Sequence, residues 1–157
     1  MIFEQIRVGG DRNFAYLVGD ETSKEAAVID PSFDPDRVVG RAEEHGLSVK
    51  YIIGTHDHFD HTNGNRSAKK RTGAQIVMHR SAGSSCDVPV DDGAELALGS
   101  LKLKIIHTPG HTNDGICVLV GNKLATGDTL FHRPRFYMRY YIFLANLPPR
   151  PASLYGP

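Results

Sequence analysis

The chain has little of several things that would define its class directly. Its 157 residues contain no tryptophan and only two cysteines, and 18 basic side chains balance 18 acidic ones. Two thiols cannot build the disulfide network of a small secreted domain, so we expect Cys117 in the core and Cys86 as a free thiol in an exposed loop. Zero net charge gives no general attraction to nucleic acid or to an anionic membrane. No apolar run has the length of a membrane span or of a signal peptide. These absences favour a soluble, cytoplasmic protein without nucleic-acid or membrane partners.

The length allows one hydrophobic core and one domain, but the last 27 residues differ from the rest. Residues 131–157 contain no Asp, Glu or Lys, yet they hold four Arg, five Pro and seven of the 13 aromatic residues. Residues 1–130 carry 14 basic against 18 acidic side chains, a net charge of −4 that the tail offsets with +4. We favour a foreign or out-of-register tail joined to a shortened domain. A basic aromatic arm for single-stranded nucleic acid and a partner-binding segment are the alternatives.

Valine- and isoleucine-rich runs predict strands near residues 2–8, 14–18, 26–30, 49–53, 75–78, 101–106, 116–120 and 123–126. A helix is predicted from Asp34 as N-cap and Pro35 at the first position to a stop at Gly46, burying Val38, Val39 and Ala42. A second helix is predicted from about Asn63 to Arg71, ending at Thr72-Gly73. Grouped strands on either side of the helices indicate mixed sheet with helices packed outside, an α/β (α+β) arrangement.

The most informative segment is Thr55-His56-Asp57-His58-Phe59-Asp60-His61, with three histidines within six residues. Two further pieces, Pro109-Gly110-His111 and Thr126-Gly127-Asp128, also come just after predicted strands, where the loops of an open sheet meet a ligand crevice. In an extended segment His56 and His58 point the same way, and His111 can add a third nitrogen. Such nitrogen-rich ligands suit zinc, iron or manganese better than calcium or magnesium.

The same motif offers the start of a second metal position. Asp60 and His61 face away from the first three histidines, and Asp128 has two oxygens with which to bridge two ions. Coordination lowers the pKa of a bound water to about 7, so one or two zinc ions would supply hydroxide for metal-assisted hydrolysis of an acyl carbonyl. Asp60 is our candidate catalytic residue, orienting the water where a second ion is absent. The isolated histidines, His45, His79 and His107, are interpreted as ordinary surface or core residues.

In this order the three pieces resemble the metallo-β-lactamase superfamily, whose signature is His-x-His-x-Asp-His, a later His and then an Asp. The runs 107–112 and 126–131 are similar to those of the hydroxyacylglutathione hydrolase (glyoxalase II) branch and of its relative, persulfide dioxygenase. The resemblance covers Phe3 to about Phe131. It implies an αβ/βα sandwich of two mixed sheets with outer helices and metals at one edge, built by a metallo-β-lactamase-like domain at 1–130 whose C-terminal part is incomplete.

The resemblance also implies the ligands. His56, His58 and His111 would hold the first ion, Asp60 and His61 the second, and Asp128 would bridge them. Family members continue with a further strand, a helix, a final metal-binding His and thiol-cofactor contacts, whereas His132 lies too near Asp128 to replace that His. The second ion is therefore short of a donor. A missing strand would also expose a sheet edge, which motivates the hypothesis of a homo-oligomer formed through the tail.

Three functions follow for comparison. The first is a metal-dependent hydrolase that cleaves a thioester or ester with metal-bound hydroxide, like glyoxalase II. The second is a persulfide dioxygenase with one iron held by His56, His111 and Asp128. The third is a catalytically impaired metal-binding fold that associates with itself through the tail. The metal motif alone does not choose among acyl substrates, so the acyl group is not predicted.

Overall fold

The computed structural model describes residues 1–10 and 13–130, so the predicted tail at 131–157 and its His132 lie outside the described residues. The strands are β1 (Ile2–Gly9), β2 (Asn13–Asp20), β3 (Glu25–Ile29), β4 (Ser48–Ile53), β5 (Gln75–His79), β6 (Val88–Val90), β7 (Glu95–Leu98), β8 (Leu101–His107), β9 (Ile116–Val120) and β10 (Lys123–Ala125). The helices are α1 (Pro35–Glu44), α2 (Phe59–Thr62) and α3 (Asn65–Thr72), and a 3-10 turn spans Gly127–Thr129.

The strands form two sheets. The larger has six strands in the order β1 to β6; β1, β2 and β3 pair antiparallel, and β3 to β6 pair parallel. The smaller has the order β10-β9-β8-β7 and is antiparallel throughout the described residues. Short connections between consecutive strands favour that pairing, because parallel strands need a long crossover. The predicted mixed pairing therefore applies to the larger sheet, and the smaller sheet differs from the expectation.

The larger sheet is buried on both faces, which explains the nearly continuous apolar runs of its central strands. Along β2, Leu17 belongs to the core beneath the helices and Val18 to the core between the sheets. The next strand divides in the same way, with Val28 on the helix side and Ile29 between the sheets. Because α1 and α3 both contact this sheet, the described residues stack as helices, larger sheet and smaller sheet.

The predicted first helix is confirmed in detail. The Asp34 side chain accepts a hydrogen bond from the Arg37 amide at 3.1 Å, and Pro35 occupies the first position. The buried face consists of Val38, Val39 and Ala42. Gly46 has a φ of 65°, a left-handed conformation that ends the helix at little steric cost. The capping residues and the apolar pattern of this segment therefore predict both the ends of α1 and the face that it buries.

Other elements depart from the predictions. The second helix begins at Asn65 because Gly64 closes a turn against Ser32; a Cβ on Gly64 would lie 2.0 Å from the Ser32 carbonyl oxygen. The strands β6 and β7 and the one-turn helix α2 were not predicted. Cys86, expected in an exposed loop, is half-buried and packs against the helix-side core, and both thiols are free. Within the described ranges, no helix combines the length and apolar character needed to cross a membrane.

Candidate metal centre

Both sheets contribute side chains to one edge of the molecule. His56 and His58 follow β4 of the larger sheet, whereas His111 follows β8 and Asp128 follows β10 of the smaller sheet. The Ile116 amide donates to the Thr55 carbonyl oxygen at 2.8 Å, which joins the start of β9 to the loop after β4. The predicted convergence of loops that follow strand ends is therefore present in the structure.

Three ring nitrogens meet in a first group. His58 Nδ1 lies 3.1 Å from His56 Nε2 and 3.1 Å from His111 Nε2. His56 is buried, while His58 and His111 are exposed, so the group opens to solvent on one side. Zinc–nitrogen bonds of about 2.0–2.1 Å place tetrahedral ligand atoms roughly 3.3 Å apart, close to these separations. The structure thus brings together the three predicted ligands of a first ion.

Asp128 stands between this group and His61. One carboxylate oxygen, Oδ1, lies 3.4 Å from His61 Nε2. The other, Oδ2, lies 3.4 Å from His111 Nε2 and 3.8 Å from His56 Nε2. The two oxygens therefore face different histidines, as a bridging carboxylate requires, and the bridging role itself stays a prediction. His56, His61 and Asp128 form a second group whose ligand atoms lie within 4.8 Å of one another.

Asp60 is near this centre but belongs to neither group of three. Its Oδ2 lies 3.7 Å from His61 Nε2 and accepts a hydrogen bond from Asn13 Nδ2 at 3.0 Å. Burial raises the pKa of Asp60, but the Asn13 hydrogen bond and the nearby His61 outweigh it and hold the pKa below its usual value. Asp60 is therefore placed as a carboxylate beside His61, and its predicted ligand and catalytic roles stay predictions.

Asp30, which the sequence analysis did not identify, organises the centre from below. Its buried carboxylate accepts hydrogen bonds from the Thr55 amide at 2.7 Å, the Thr55 hydroxyl at 2.6 Å and His61 Nδ1 at 2.9 Å. Because Nδ1 of His61 donates here, its Nε2 is the atom left for a cation. The Thr55 hydroxyl also lies 3.2 Å from His56 Nδ1, which leaves Nε2 of His56 facing the other ligands. The sequence feature that could have identified Asp30 is its position, since it is a carboxylate directly after the apolar strand β3.

The charges of the centre fit a cation. Burial alone would lower the pKa of His61, but the carboxylates of Asp30 and Asp128 raise it to about 10. Burial raises the pKa of the Asp128 carboxyl, but the neighbouring histidines have a larger effect, so the pKa lies below its usual value. These histidines are His61, His56 and His111. Burial and the neighbouring His61 lower the pKa of His56. Imidazole nitrogen lone pairs and a carboxylate that face one another repel unless a positive charge lies between them. A divalent ion would supply that charge, so this set of donor atoms suits a metal. In the metal-free protein, a proton on His61 supplies it instead.

His45, His79 and His107 lie outside these two groups, as predicted. His45 Nε2 contacts Glu4 Oε1 at 2.6 Å at the end of α1. The rings of His79 and His107 stack with centroids 3.9 Å apart. His107 Nε2 meets the Asn113 carbonyl oxygen at 2.8 Å, which fits the structural role expected of it.

Comparison with known proteins defines the class. Residues 8–86 match the family model of the Metallo-beta-lactamase superfamily. The chain is 39% identical over 133 residues to the hydroxyacylglutathione hydrolase of Anaeromyxobacter dehalogenans, covering 83% of this chain and 51% of that protein. It is 34% identical to a cytoplasmic hydroxyacylglutathione hydrolase of Arabidopsis thaliana, covering 91% and 62%. The crystal structure of ETHE1 from Myxococcus xanthus superposes with a TM-score of 0.78 at 34% identity, covering 84% and 59%.

The chain belongs to the metallo-β-lactamase superfamily, which confirms the family and the fold predicted from its histidine motif. Hydroxyacylglutathione hydrolases are among its relatives, as the runs around His111 and Asp128 indicated. The chain spans only about half to three-fifths of the length of these curated relatives.

Proposed function

We propose that the protein is a metal-dependent thioester hydrolase of the glyoxalase II type, acting in the cytoplasm on an acyl thioester of a glutathione-like thiol. The observation that carries the proposal is the meeting of His56, His58 and His111 nitrogens at 3.1 Å separations beside Asp128. The hydroxyacylglutathione hydrolases among its relatives, one of them cytoplasmic, support the substrate class and the location.

Zinc bound by these residues supplies a Lewis acid and lowers the pKa of a water toward neutrality. The residues of the chain have separate tasks around it. His56, His58 and His111 would hold the ion, and Asp128 faces both groups of histidines. Asp30 fixes the ring of His61 through Nδ1. Asp60, held by Asn13, is placed to orient a water or to hold its proton, because a carboxylate below its usual pKa is ionised at neutral pH.

The test is zinc content together with turnover of a hydroxyacylglutathione. His58→Ala removes the nitrogen shared by both 3.1 Å contacts, so we expect substoichiometric zinc and a loss of activity of about 100-fold or more, above the range typical of second-shell changes. His45→Ala is the matched control, since His45 lies at the end of α1, and it should keep zinc and activity. Full zinc occupancy without any thioester turnover would refute the hydrolase proposal for this chain.

A second candidate, a persulfide dioxygenase with one iron, is favoured by one observation. Nε2 of His56 and Nε2 of His111 both face Asp128 Oδ2, at 3.8 and 3.4 Å. Two histidines and one carboxylate form the facial arrangement of non-haem iron oxygenases. Here His58→Ala should retain the metal, and elemental analysis should find one iron per chain with oxygen consumed during turnover. Zinc with no oxygen uptake would exclude this candidate. The third candidate, an impaired fold that associates with itself through residues 131–157, stays a prediction.

A further inference from the structure

The two candidate ligands from the smaller sheet lie on separate segments of the chain. His111 lies in the loop at residues 108–115, between β8 and β9, and Asp128 lies in the 3-10 turn Gly127–Thr129, after β10. Nε2 of His111 and Oδ2 of Asp128 are nevertheless only 3.4 Å apart. Because the loop and the turn leave the sheet from different strands, a contact outside the sheet is needed to fix one relative to the other.

The loop that carries His111 is closed at its base. The Thr108 amide donates to the Gly115 carbonyl oxygen at 2.8 Å, and within the loop the Gly110 amide donates to the Thr112 carbonyl oxygen at 3.0 Å. A Cβ on Gly115 would lie 3.1 Å from the Thr108 carbonyl oxygen, so the two ends of the loop are in close contact. The position of His111 therefore depends on how Thr108 is held.

The turn that carries Asp128 is too short to be stable by itself. Its Thr129 amide donates to the Thr126 carbonyl oxygen at 3.1 Å, and Gly127 has a left-handed φ of 48°. A single turn is unfavourable in isolation because several backbone dihedral angles are fixed for the gain of one hydrogen bond. The position of the Asp128 carboxylate therefore depends on contacts between this turn and the rest of the molecule.

Two threonine hydroxyls join the loop to the turn. Thr108 Oγ1 lies 2.8 Å from Thr129 Oγ1, across 21 positions of the sequence, and 3.3 Å from the Gly115 carbonyl oxygen. A carbonyl oxygen only accepts, so both contacts are satisfied when the Thr108 hydroxyl donates to Gly115 and accepts from Thr129. We call this hydroxyl pair the Thr108–Thr129 contact. It connects the base of the His111 loop directly to the residue after Asp128.

The Thr108–Thr129 contact lies against a buried thiol. Cys117, on β9, is 3% exposed, and its Sγ lies 3.6 Å from Thr108 Oγ1 and 3.8 Å from the Thr126 carbonyl oxygen. A thiol forms only weak hydrogen bonds, so its main effect is to occupy the space beside both segments. Partial shielding from water strengthens a hydrogen bond between hydroxyls, because water competes less for the same groups.

We propose that Thr108 and Thr129 are positioning residues of the metal centre, whose hydroxyl contact fixes His111 and Asp128 relative to one another before an ion binds. Ligands that are already in place lose less conformational freedom on binding, so the ion is held more tightly. This inference deepens the proposed function and rests on its metal-binding part. It does not depend on which substrate the protein cleaves.

The first experiment measures zinc affinity by competition with a chelating dye. Thr108→Val and Thr129→Val each remove a hydroxyl and keep the shape of the side chain, and each should weaken zinc binding by about three- to tenfold, the net worth of one hydrogen bond. The double variant should bind no more weakly than either single variant, because all three lack the same contact. Thr108→Ser and Thr129→Ser keep the hydroxyl and should bind zinc like the wild type. Additive losses in the double variant would overturn the proposal.

A matched control separates positioning from general loss of stability. The Thr72 hydroxyl donates to the Ala68 carbonyl oxygen at 2.8 Å, at the end of α3. Thr72→Val therefore removes a hydrogen bond of the same length from a helix that carries none of the candidate ligands. It should lower the melting temperature of the metal-free protein and leave zinc affinity unchanged. An equal loss of zinc affinity in Thr72→Val and Thr129→Val would refute a specific role for the Thr108–Thr129 contact.

Hydrogen exchange in the metal-free protein provides a measurement that needs neither zinc nor turnover. Thr129→Val should speed exchange of the Thr108 and Gly110 amides, which close the His111 loop, whereas Thr72→Val should not. Unchanged exchange at these two amides would show that the turn does not hold the loop, and the inference would fail. A wild-type chain that binds zinc but hydrolyses no thioester would instead refute the proposed function and leave this inference intact.

Discussion

Asp30→Asn tests whether the metal centre depends on the carboxylate beneath it. The left-handed φ of 47° at this position is one that asparagine tolerates as well as aspartate, so the substitution adds no backbone strain. The asparagine oxygen can still accept from the Thr55 amide. Its NH2 group, however, would face His61 Nδ1, which must then give up its hydrogen. The neutral ring would carry its proton on Nε2, the atom that faces Asp128.

The expected loss of zinc affinity follows from this change in the tautomer of His61. Outer-shell partners of ligating histidines typically contribute 10–100-fold to metal affinity, which is about 1.4–2.8 kcal/mol. The metal-free protein should change as well. The raised pKa of His61 contributes stability that is present below pH 6.5 and lost as the pH rises through about 10, and the part of this contribution that comes from Asp30, beside that of Asp128, should vanish in Asp30→Asn.

Competition with a chelating dye at fixed pH measures the zinc affinity, and denaturant unfolding of the metal-free protein measures stability. The control is Asp20→Asn, because Asp20 is another buried carboxylate that accepts backbone amides, from Ser100 at 2.6 Å and Thr22 at 3.0 Å, far along the chain from the ligands. It should reduce stability and leave zinc affinity within about twofold. If both variants bind zinc equally well, Asp30 does not act through the His61 ring.

Two further outcomes are expected. Gly127→Ala should destabilise the protein by more than the roughly 1–2 kcal/mol of a left-handed alanine and should also weaken zinc binding at Asp128, because the new Cβ would lie 2.4 Å from Thr55 Oγ1. Gly121→Ala has a similar φ, +55° against +48°, with nothing nearer than 3.8 Å, so equal unfolding free energies for the two variants would contradict the steric argument. The pKa of Asp20 is lowered to about 2, mainly by the amides it accepts, so its contribution is present above pH 4 and lost as pH falls toward 2. Acid unfolding curves of wild type and Asp20→Asn should therefore converge at low pH, and a constant separation would rule this out.

The sequence predicted those parts of the structure that depend on local signals. Asp34, Pro35 and Gly46 delimit α1 because capping and left-handed termination are properties of a few adjacent residues. The ligands His56, His58 and His111 were recognisable because their spacing has no use in packing. The strand β7 was missed although Glu95 and Leu96 begin an alternation of exposed and buried positions, because four residues carry a weak pattern.

Other features depend on contacts between distant segments. Asp30 becomes important only when β3 and β4 lie side by side and place it beneath Thr55. The Asn13 contact with Asp60 joins residues 47 positions apart, and nothing in the local sequence at Asn13 indicates it. Sequence patterns identified the donors of the centre, and tertiary structure identified what orients them.

The division of the ligands between the two sheets has a mechanical consequence. His56 and His58 are carried by the larger sheet and His111 and Asp128 by the smaller, so a coordinated ion clamps the open ends of both sheets together. Metal affinity is therefore linked to the stability of the packing between the two sheets, because only the packed state brings all the ligand atoms together. Loosening the layer around Ile29 and Val118, remote from any ligand, should release the ion before the rest of the molecule melts.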